Sequence, residues 1–503
     1  MAKAFREREV KLSAWAGFTV PSLEGMADGV TVDPLPLRTL DAVYYDTADL
    51  RLARWGVSLR HRTGDGTGWT VKLPDGDGDD GPALVRREVP FQGRDGRPPE
   101  AAVDLVRAYV RTAELVPVAH LQTRRQGVEL RDGEGQRLLE VVDDEVTVLD
   151  GERVAARFRE VEVEAGDRAP ADLLDQVVAR LREAGAGAPD ATPKIVRALG
   201  SRAVAGPEVV VPSLGGSPTG AEVVQAAIAA SVCRVLVHDA GVRLGDDPED
   251  VHQARVGTRR LRSDLRTFRP LLAVDWAEEL RNELKWAADA LGAVRDADVL
   301  TGRLRAQAAE LPEVDAAGFA PVLRRLADER EAARVALLDA MASDRYVALL
   351  DRLVEAATAP QLTPQAEASA SMTLLPLVAG QWRKLAKAVG KLPRNPPDDD
   401  LHAVRILAKR TRYAAEAAAP AGGKAAKRFA AAVAGVQEVL GDHNDAVVAE
   451  AWLRAAVEEA DVAQALALGE LIAVQRGVAA DCRKSWRGAW KAVDRKKLRK
   501  WLR

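Results

Sequence analysis

Two short stretches, EREVK at Glu7–Lys11 and REVEVE at Arg159–Glu164, decide how the first two hundred residues fold. In a strand, residues two apart share a face, so Glu7, Glu9 and Lys11 point one way. Glu160, Glu162 and Glu164 do the same, with Val161 and Val163 on the reverse. Between them lie further alternating runs: VSLRHR with Arg60 and Arg62, GWTVKL with Lys72, and LVRREVPF with Arg87-Glu88. Gly/Asp punctuation such as DGDGDDGP at 75–82 separates the runs, and helical periods interrupt them near 100–113 and 171–185. One charged strand face reads as a solvated outer surface. A set offering carboxylates on some strands and Arg or Lys on others reads as the lining of one interior. In a closed barrel those charges would converge on a cavity, with the apolar faces packed outward against helices.

From about Ala221 the pattern turns to long Ala/Leu/Arg/Glu segments of helical period, and no strand is expected again. The Gly/Pro/Ser-rich stretch between the halves reads as a linker. The expected organisation is a β-rich domain over 1–200, a linker over 201–218 and an all-helical domain over 219–503. The helical half is duplicated. VHQARVGTRRLRSDLRTF begins at Val251 and LHAVRILAKRTRYAAEAA at Leu401. In each, a histidine (His252, His402) is followed by bases at +3, +7 and +10: Arg255, Arg259 and Arg262, then Arg405, Lys409 and Arg412. LGAVRDA from Leu291 and LGDHNDA from Leu440 recur at nearly the same offset, which marks a repeated helical bundle.

Composition bounds the class. With 503 residues, 29% charged and 47% hydrophobic, the chain is too charged and too apolar to be collagen-like or wholly disordered. Two cysteines, Cys233 and Cys482, exclude a disulfide scaffold or Cys-rich zinc site and fit a reducing compartment. No apolar run is expected to span a membrane, and MAKAFREREVKL has no signal-peptide core. A formal net charge of -3 argues against a polyanion partner only if charge is spread evenly, and it is not.

The placement of charge names a chemistry. Glu7, Glu9, Glu160 and Glu162 offer hard oxygen ligands of the kind Mg²⁺ or Mn²⁺ prefers. Arg60, Arg62 and Lys72 can grip phosphate oxygens, arginine in bidentate fashion. Metal-assisted phosphoryl transfer needs both sets together. In the helical half, His252, Arg255, Arg259 and Arg262 share one helix face, while Val251, Ala254, Leu261, Leu265 and Phe268 form a separate buried stripe. Like charges at this spacing destabilise a helix by ~0.2–0.5 kcal/mol per pair, and no acids alternate with them. An anionic partner explains such a stripe. Asp296 and Asp445 read as structural partners of an arginine across the bundle. A metal role for the histidines lacks any accompanying ligand motif.

ExExK at the N-terminus, paired Arg, a strand Lys, RxE and a late ExE strand, in that order over about 1–200, resemble the CYTH (triphosphate tunnel metalloenzyme) family. The resemblance implies an α+β multidomain protein: an eight-stranded antiparallel β tunnel with flanking helices, then an all-α duplicated helical bundle. It implies that Glu7, Glu9, Glu160 and Glu162 are the metal-binding acids. Lys11, Arg60, Arg62 and Lys72 match the phosphate grips and Glu88 the RxE acid. Either Arg124 or Arg125 matches a later phosphate-binding arginine, Arg125 being preferred. Either Asp143 or Asp144 is the tunnel aspartate, which strand parity alone does not decide; Lys11, Glu88 and Asp143 stand as catalytic candidates. Lys194, in ATPKIVR, matches the lysine after the last strand and helix. Glu164 joins the late acidic site if the register shifts by two. His61, opposite Arg60 and Arg62, has no catalytic role.

HxxRVxxRRLR and HxxRxxxKRxRY over about 219–503 resemble the CHAD (conserved histidine α-helical) module, whose basic surfaces are implicated in binding inorganic polyphosphate. His252, Arg255, Arg259, Arg262, His402, Arg405, Lys409 and Arg412 are its expected contacts. Together the resemblances imply a cytoplasmic, divalent-metal-dependent triphosphatase acting on inorganic triphosphate, able to associate with polyphosphate granules. The same tunnel can serve a thiamine or nucleoside triphosphatase or an adenylate cyclase. A non-catalytic polyphosphate-binding protein is the alternative from another class. Nucleic-acid binding lacks aromatic platforms and a reading motif. In the basic C-terminal run, Trp486, Trp490 and Trp501 are expected to pack rather than stack on bases.

Overall fold

The computed structural model describes residues 4–75 and 84–502, so all but Asp75 of the expected turn DGDGDDGP lies outside the described residues. Two compact units result, Met1–Glu208 and Val209–Arg503.

In the first, eight antiparallel strands close into a barrel: β1 (Phe5–Ser13), β2 (Thr31–Asp46), β3 (Ser58–Thr63), β4 (Gly68–Pro74), β5 (Leu84–Phe91), β6 (Val116–Arg131), β7 (Arg137–Asp150) and β8 (Arg153–Ala165). Their order is β1-β5-β4-β3-β2-β6-β7-β8, with β8 pairing back onto β1. Closure removes both sheet edges and gives the strands one interior. Helices α1 (Arg51–Arg54), α2 (Glu100–Leu105), α3 (Arg107–Val110), α4 (Ala171–Glu183) and α5 (Lys194–Leu199) flank it. The hydrophobic core lies outside the barrel wall. Val10, Leu12, Leu139, Val141, Val161 and Val163 face outward onto Leu173, Leu174, Val177 and Leu181 of α4. This inversion, charge within and apolar side chains without, is what the strand alternation predicts. The tight β3–β4 hairpin depends on Gly64, whose φ of +101° suits glycine and whose missing Cβ leaves room for the Thr39 carbonyl.

The segment expected as linker is held by the barrel as far as Glu208. Ala203 packs on Leu50 and Ala53, Arg54 Nε donates to the Gly206 carbonyl at 2.8 Å, and Arg111 pairs with Glu208 at 2.6 Å.

The second unit is helical: α6 (Gly220–Leu244), α7 (Pro248–Thr267), α8 (Val274–Ala308), α9 (Glu313–Ala316), α10 (Ala320–Ala342), α11 (Asp344–Thr358), α12 (Ala370–Gly390), α13 (Asp398–Ala417), α14 (Ala419–Val457) and α15 (Val462–Val493). A capping box of Thr219 and Glu222 starts α6, and Asp247 with Pro248 starts α7. The buried stripe read from the sequence faces the core: Val251, Ala254, Leu261, Leu265 and Phe268 are all buried. Trp486 is buried, Trp490 stacks on Trp382 and Trp501 meets Phe429 edge-on, so these tryptophans pack. Contrary to the sequence expectation, α6 and α15 are long and apolar enough to cross a bilayer by length and composition. Over half of the apolar window of α6 is buried within the bundle, and Leu468 and Leu471 of α15 sit in a core with α8, α10 and α14.

Leu12 is wholly buried between the barrel wall and α4. Leu12→Ala is expected to destabilise the barrel unit by about 2–5 kcal/mol, read as a lower denaturant midpoint for its unfolding transition.

Candidate functional site

The barrel encloses a cavity of about 530 Å³ lined by charged side chains from nearly every strand. Glu7 and Lys11 come from β1, Arg60 and Arg62 from β3, Lys72 from β4, Arg86 and Glu88 from β5, Arg125 from β6, and Glu162 and Glu164 from β8. Cross-strand register stacks unlike groups: Lys72 opposes Glu88, Lys11 opposes Glu162, and Arg125 opposes Asp144, which opposes Glu160.

Most of the buried charges find a counter-charge within reach, as burial demands. Lys72 Nζ donates to both Glu7 oxygens at 2.7 and 2.6 Å and lies 2.9 Å from Glu88. Lys11 sits between Glu162 at 2.7 Å and Glu9 at 3.2 Å. Lys194, brought in by α5 as Ile195 packs on Tyr44, Leu121 and Val146, reaches Asp144, Glu160 and Glu162 within 2.9 Å. Arg125 is bidentate on Asp144 at 2.8 and 2.7 Å and touches Glu162 at 3.0 Å. Arg60 and Arg62 stand apart from the inner acids. Arg60 meets the Tyr44 hydroxyl at 3.4 Å, and Arg62 is held by Asp65 and Thr67 of the β3–β4 hairpin at 2.6 and 3.2 Å.

Electrostatics follow this lattice. Burial alone would lower the pKa of Lys11, but Glu162 and Glu9 outweigh it and hold the amine charged; Asp144, Glu162 and Glu160 do the same for Lys194. Burial opposes ionisation of Glu162, yet Lys11 and Lys194 keep its carboxyl well below the usual range. Glu164 is the exception: burial, then the charge of Glu7, push it up to about 7.

The tunnel candidates read from the sequence face inward, apart from Asp143 and the alternative Arg124. Asp143 points out, pairing with Arg159 at 2.6 Å, and the tunnel aspartate is the wholly buried Asp144. The doublets in VVDDEV give the strand no readable phase. Of the two arginines, Arg125 enters the barrel while Arg124 meets Glu145 on the exposed side. Arg87 also turns out, onto Asp75 at 3.1 Å, and its neighbour Arg86 lines the cavity instead. Glu160 lies beneath Lys194, outside the cavity lining, as a counter-ion to that lysine. Sequence reading passed over Arg86 and Tyr44; the alternation of LVRREVPF carries the signal for Arg86.

The acids fit a hard cation by their chemistry. Glu9 Oε1, Glu162 Oε1 and both oxygens of Glu160 are buried and accept no hydrogen bond of good geometry, although lysines lie within ion-pair reach. Among the described residues the acids are not yet gathered about one point, because lysines stand between them.

In the helical unit, α7 and α13 bring the two basic stripes together. Each repeat holds its first arginine alike: Arg255 pairs with Asp296 at 2.7 Å and Arg405 with Asp445 at 3.9 Å, each guanidinium lying over a glycine, Gly292 or Gly441. Between the stripes lies a cavity of about 230 Å³, lined by Arg259, Arg262 and Arg405, by Lys409, and by no acid among the described residues. Arg266, Arg281 and Arg410, which the repeat pattern missed, line it too. Lys409 lies 5.8 Å from the Tyr413 ring centre, and burial with Arg259 and Arg405 pushes its amine down to about 7. His252, His402, Arg255 and Arg412 lie outside this lining; His402 Nδ1 bonds the Asn444 side chain.

Comparison with known proteins accords with both halves. The CYTH domain matches residues 6–195 and the CHAD domain residues 226–454. An uncharacterized protein of Mycobacterium tuberculosis is 31% identical over 518 residues, covering 97% of this chain and 96% of that one. The chain belongs to the CYTH–CHAD family. PptA from Streptomyces chartreusis is 28% identical with a TM-score of 0.47, covering 55% of this chain and 100% of that one. The CHAD domain from the plant Ricinus communis is 29% identical with a TM-score of 0.45, covering 56% and 96%. CYTH proteins are metal-dependent.

Glu164 supplies a pH test. Its carboxyl titrates near 7 in the folded CYTH unit and in the ordinary range when unfolded, so the folded state binds the extra proton between these values. That contribution to stability is complete below the unfolded pKa and lost as pH rises through 7. Glu164→Gln is therefore expected to raise the thermal midpoint of the CYTH unit at pH 8 and leave it unchanged at pH 4.

Proposed function

We propose that the CYTH unit hydrolyses inorganic triphosphate with the help of a divalent cation, and that the CHAD unit holds polyphosphate. The observation that carries this reading is the cavity of about 530 Å³ in which phosphate grips and carboxylates face one another within a closed barrel. An acid lining alone would repel a phosphate chain, and a basic lining alone would bind it without activating water.

Arg60 and Arg62, not committed to the inner acids, meet the incoming phosphates first. Lys72 and Lys11 then exchange a carboxylate for a phosphate oxygen, which costs little because one anion replaces another at the same nitrogen. Glu7, Glu9 and Glu162, freed of those lysines, would hold the divalent cation, whose chemistry is to neutralise phosphoryl oxygens and favour attack by water. Lys194 and Arg125 remain on Asp144, keeping the floor of the cavity rigid. The inner contacts, at Lys11 and Glu162, are buried and so act at lower dielectric than exposed pairs.

Phosphate release is to be measured from triphosphate, polyphosphate, thiamine triphosphate and ATP, each with Mg²⁺, Mn²⁺ and chelator. Turnover of triphosphate that chelator abolishes is expected. Arg60→Ala or Arg62→Ala should lower its kcat/KM by a hundredfold or more, as ~2.7–4 kcal/mol per positioned contact implies. A folded Glu7→Ala/Glu9→Ala protein that hydrolyses triphosphate undiminished would contradict the reading. Binding by the CHAD unit should take up protons: phosphate beside Lys409 restores the charge that its neighbours suppress, so affinity falls as pH rises through about 7. Calorimetry in buffers of different ionisation enthalpy reads that uptake, which Lys409→Met should abolish.

A further inference from the structure

The CHAD repeats place position 266 opposite position 410 and, by the same internal symmetry, position 416 opposite position 260. On one side the pair is a salt bridge: Arg260 Nη1 donates to Glu416 at 2.8 Å, and Arg412 Nε lies 3.3 Å from the same carboxylate. On the other side Glu416 has become Arg266, so Arg266 and Arg410 line one cavity with Arg262 and Arg281. Neither Arg266 nor Arg410 has an ion pair among the described residues. Arg281 is paired with Glu278, which also lies 3.6 Å from Arg269, and Asp289 is the acid acting on Arg262. The buried Nε groups of Arg262 and Arg281 find no acceptor among the described residues. Beyond Arg266 opens a second cavity of about 450 Å³, which adds Arg269 and Lys384, with Thr267 and Gln381, and again no acid among the described residues.

We propose that a linear polyanion leaves the CHAD groove in one direction only, with phosphates bridging Arg266 and Arg410 and the chain running on past Arg269 toward Lys384. The side carrying Glu416 is closed to it by charge. This rests on the reading of the CHAD unit as a polyphosphate binder and adds to it a second subsite and a direction. Two contiguous cavities sharing one arginine suit a chain longer than a triphosphate, so length itself becomes what this site recognises.

Arg266→Glu tests it with the fold protected, because it rebuilds on this side the Arg–Glu pair already present on the other. In the full chain with chelator, affinities for long-chain polyphosphate and for tripolyphosphate are measured across a salt series, for wild type, Arg266→Glu, the exposed Lys384→Gln and Arg259→Gln. Arg266→Glu is expected to keep the wild-type melting temperature and to lose about tenfold or more in long-chain affinity. Its salt dependence should be shallower by roughly the share of two or three phosphate contacts, and tripolyphosphate affinity should stay within about twofold of wild type. Lys384→Gln should lose long-chain affinity selectively and to a smaller degree. Wild-type long-chain affinity and salt slope in both variants, beside a loss in Arg259→Gln, would overturn the second subsite while leaving polyphosphate binding intact. Equal losses for both ligands would overturn the length selectivity. Wild-type protein that binds no polyphosphate would overturn the binding reading and this inference with it.

Discussion

Lys11 and Lys194, each buried and each touching two or more carboxylates, are the interaction on which the barrel depends. An unpaired ion inside a protein is costly by several kcal/mol, and removing one partner of a buried pair costs about as much. Closing eight strands around a charged interior is therefore possible only if acids and bases interdigitate across the strands. The register does this, setting Lys11 against Glu162 and Arg125 against Asp144. The apolar residues are left to the outside of the wall, where α4 covers them. A barrel so built is neutralised internally and primed for exchange: its cations can accept phosphate and its acids can accept a metal without either being left alone.

The CHAD unit solves a different problem with the opposite arrangement. Its core is conventional, with Leu261, Leu265 and their neighbours inside the bundle. Its bases are gathered where α7 meets α13 and are left largely uncompensated, to the point that Lys409 gives up part of its charge. Duplication puts a basic stripe on each side of the groove, and divergence at 266 and 416 then makes the two sides unequal. The near-zero net charge of the chain conceals both a neutralised tunnel and an unneutralised groove.

Much of this was legible in the sequence because strand parity and helical spacing are rigid rules. Glu7, Glu9, Lys11, Arg60, Arg62, Lys72 and Glu162 face inward as their alternation requires. Asp296 and Asp445 pair with arginines as their repetition suggests. Asp143 was misread because VVDDEV doubles both its apolar and its acidic residues, so only pairing with β6 and β8 fixes the phase. Arg266, Arg281 and Arg410 were missed for a different reason. Arg410 repeats Arg260 at +8 from the histidine but falls off the +3, +7, +10 face, and Arg266 has Glu416 as its counterpart. Arg281 reaches the groove from another helix, a tertiary fact that spacing along α7 and α13 does not encode.

The central claim is that phosphate and metal divide between them the charges that now neutralise one another in the tunnel. Its most direct test is the affinity of Mn²⁺ for the full chain, followed by the spin-resonance signal of free Mn²⁺, with and without a non-hydrolysable triphosphate analogue. Exchange at Lys11 and Lys72 requires that the analogue tighten Mn²⁺ binding, that Mn²⁺ tighten analogue binding by the same factor, and that Glu7→Gln/Glu9→Gln erase the coupling. Equal Mn²⁺ affinity with and without the analogue, once binding of Mn²⁺ by the analogue itself is subtracted, would contradict it.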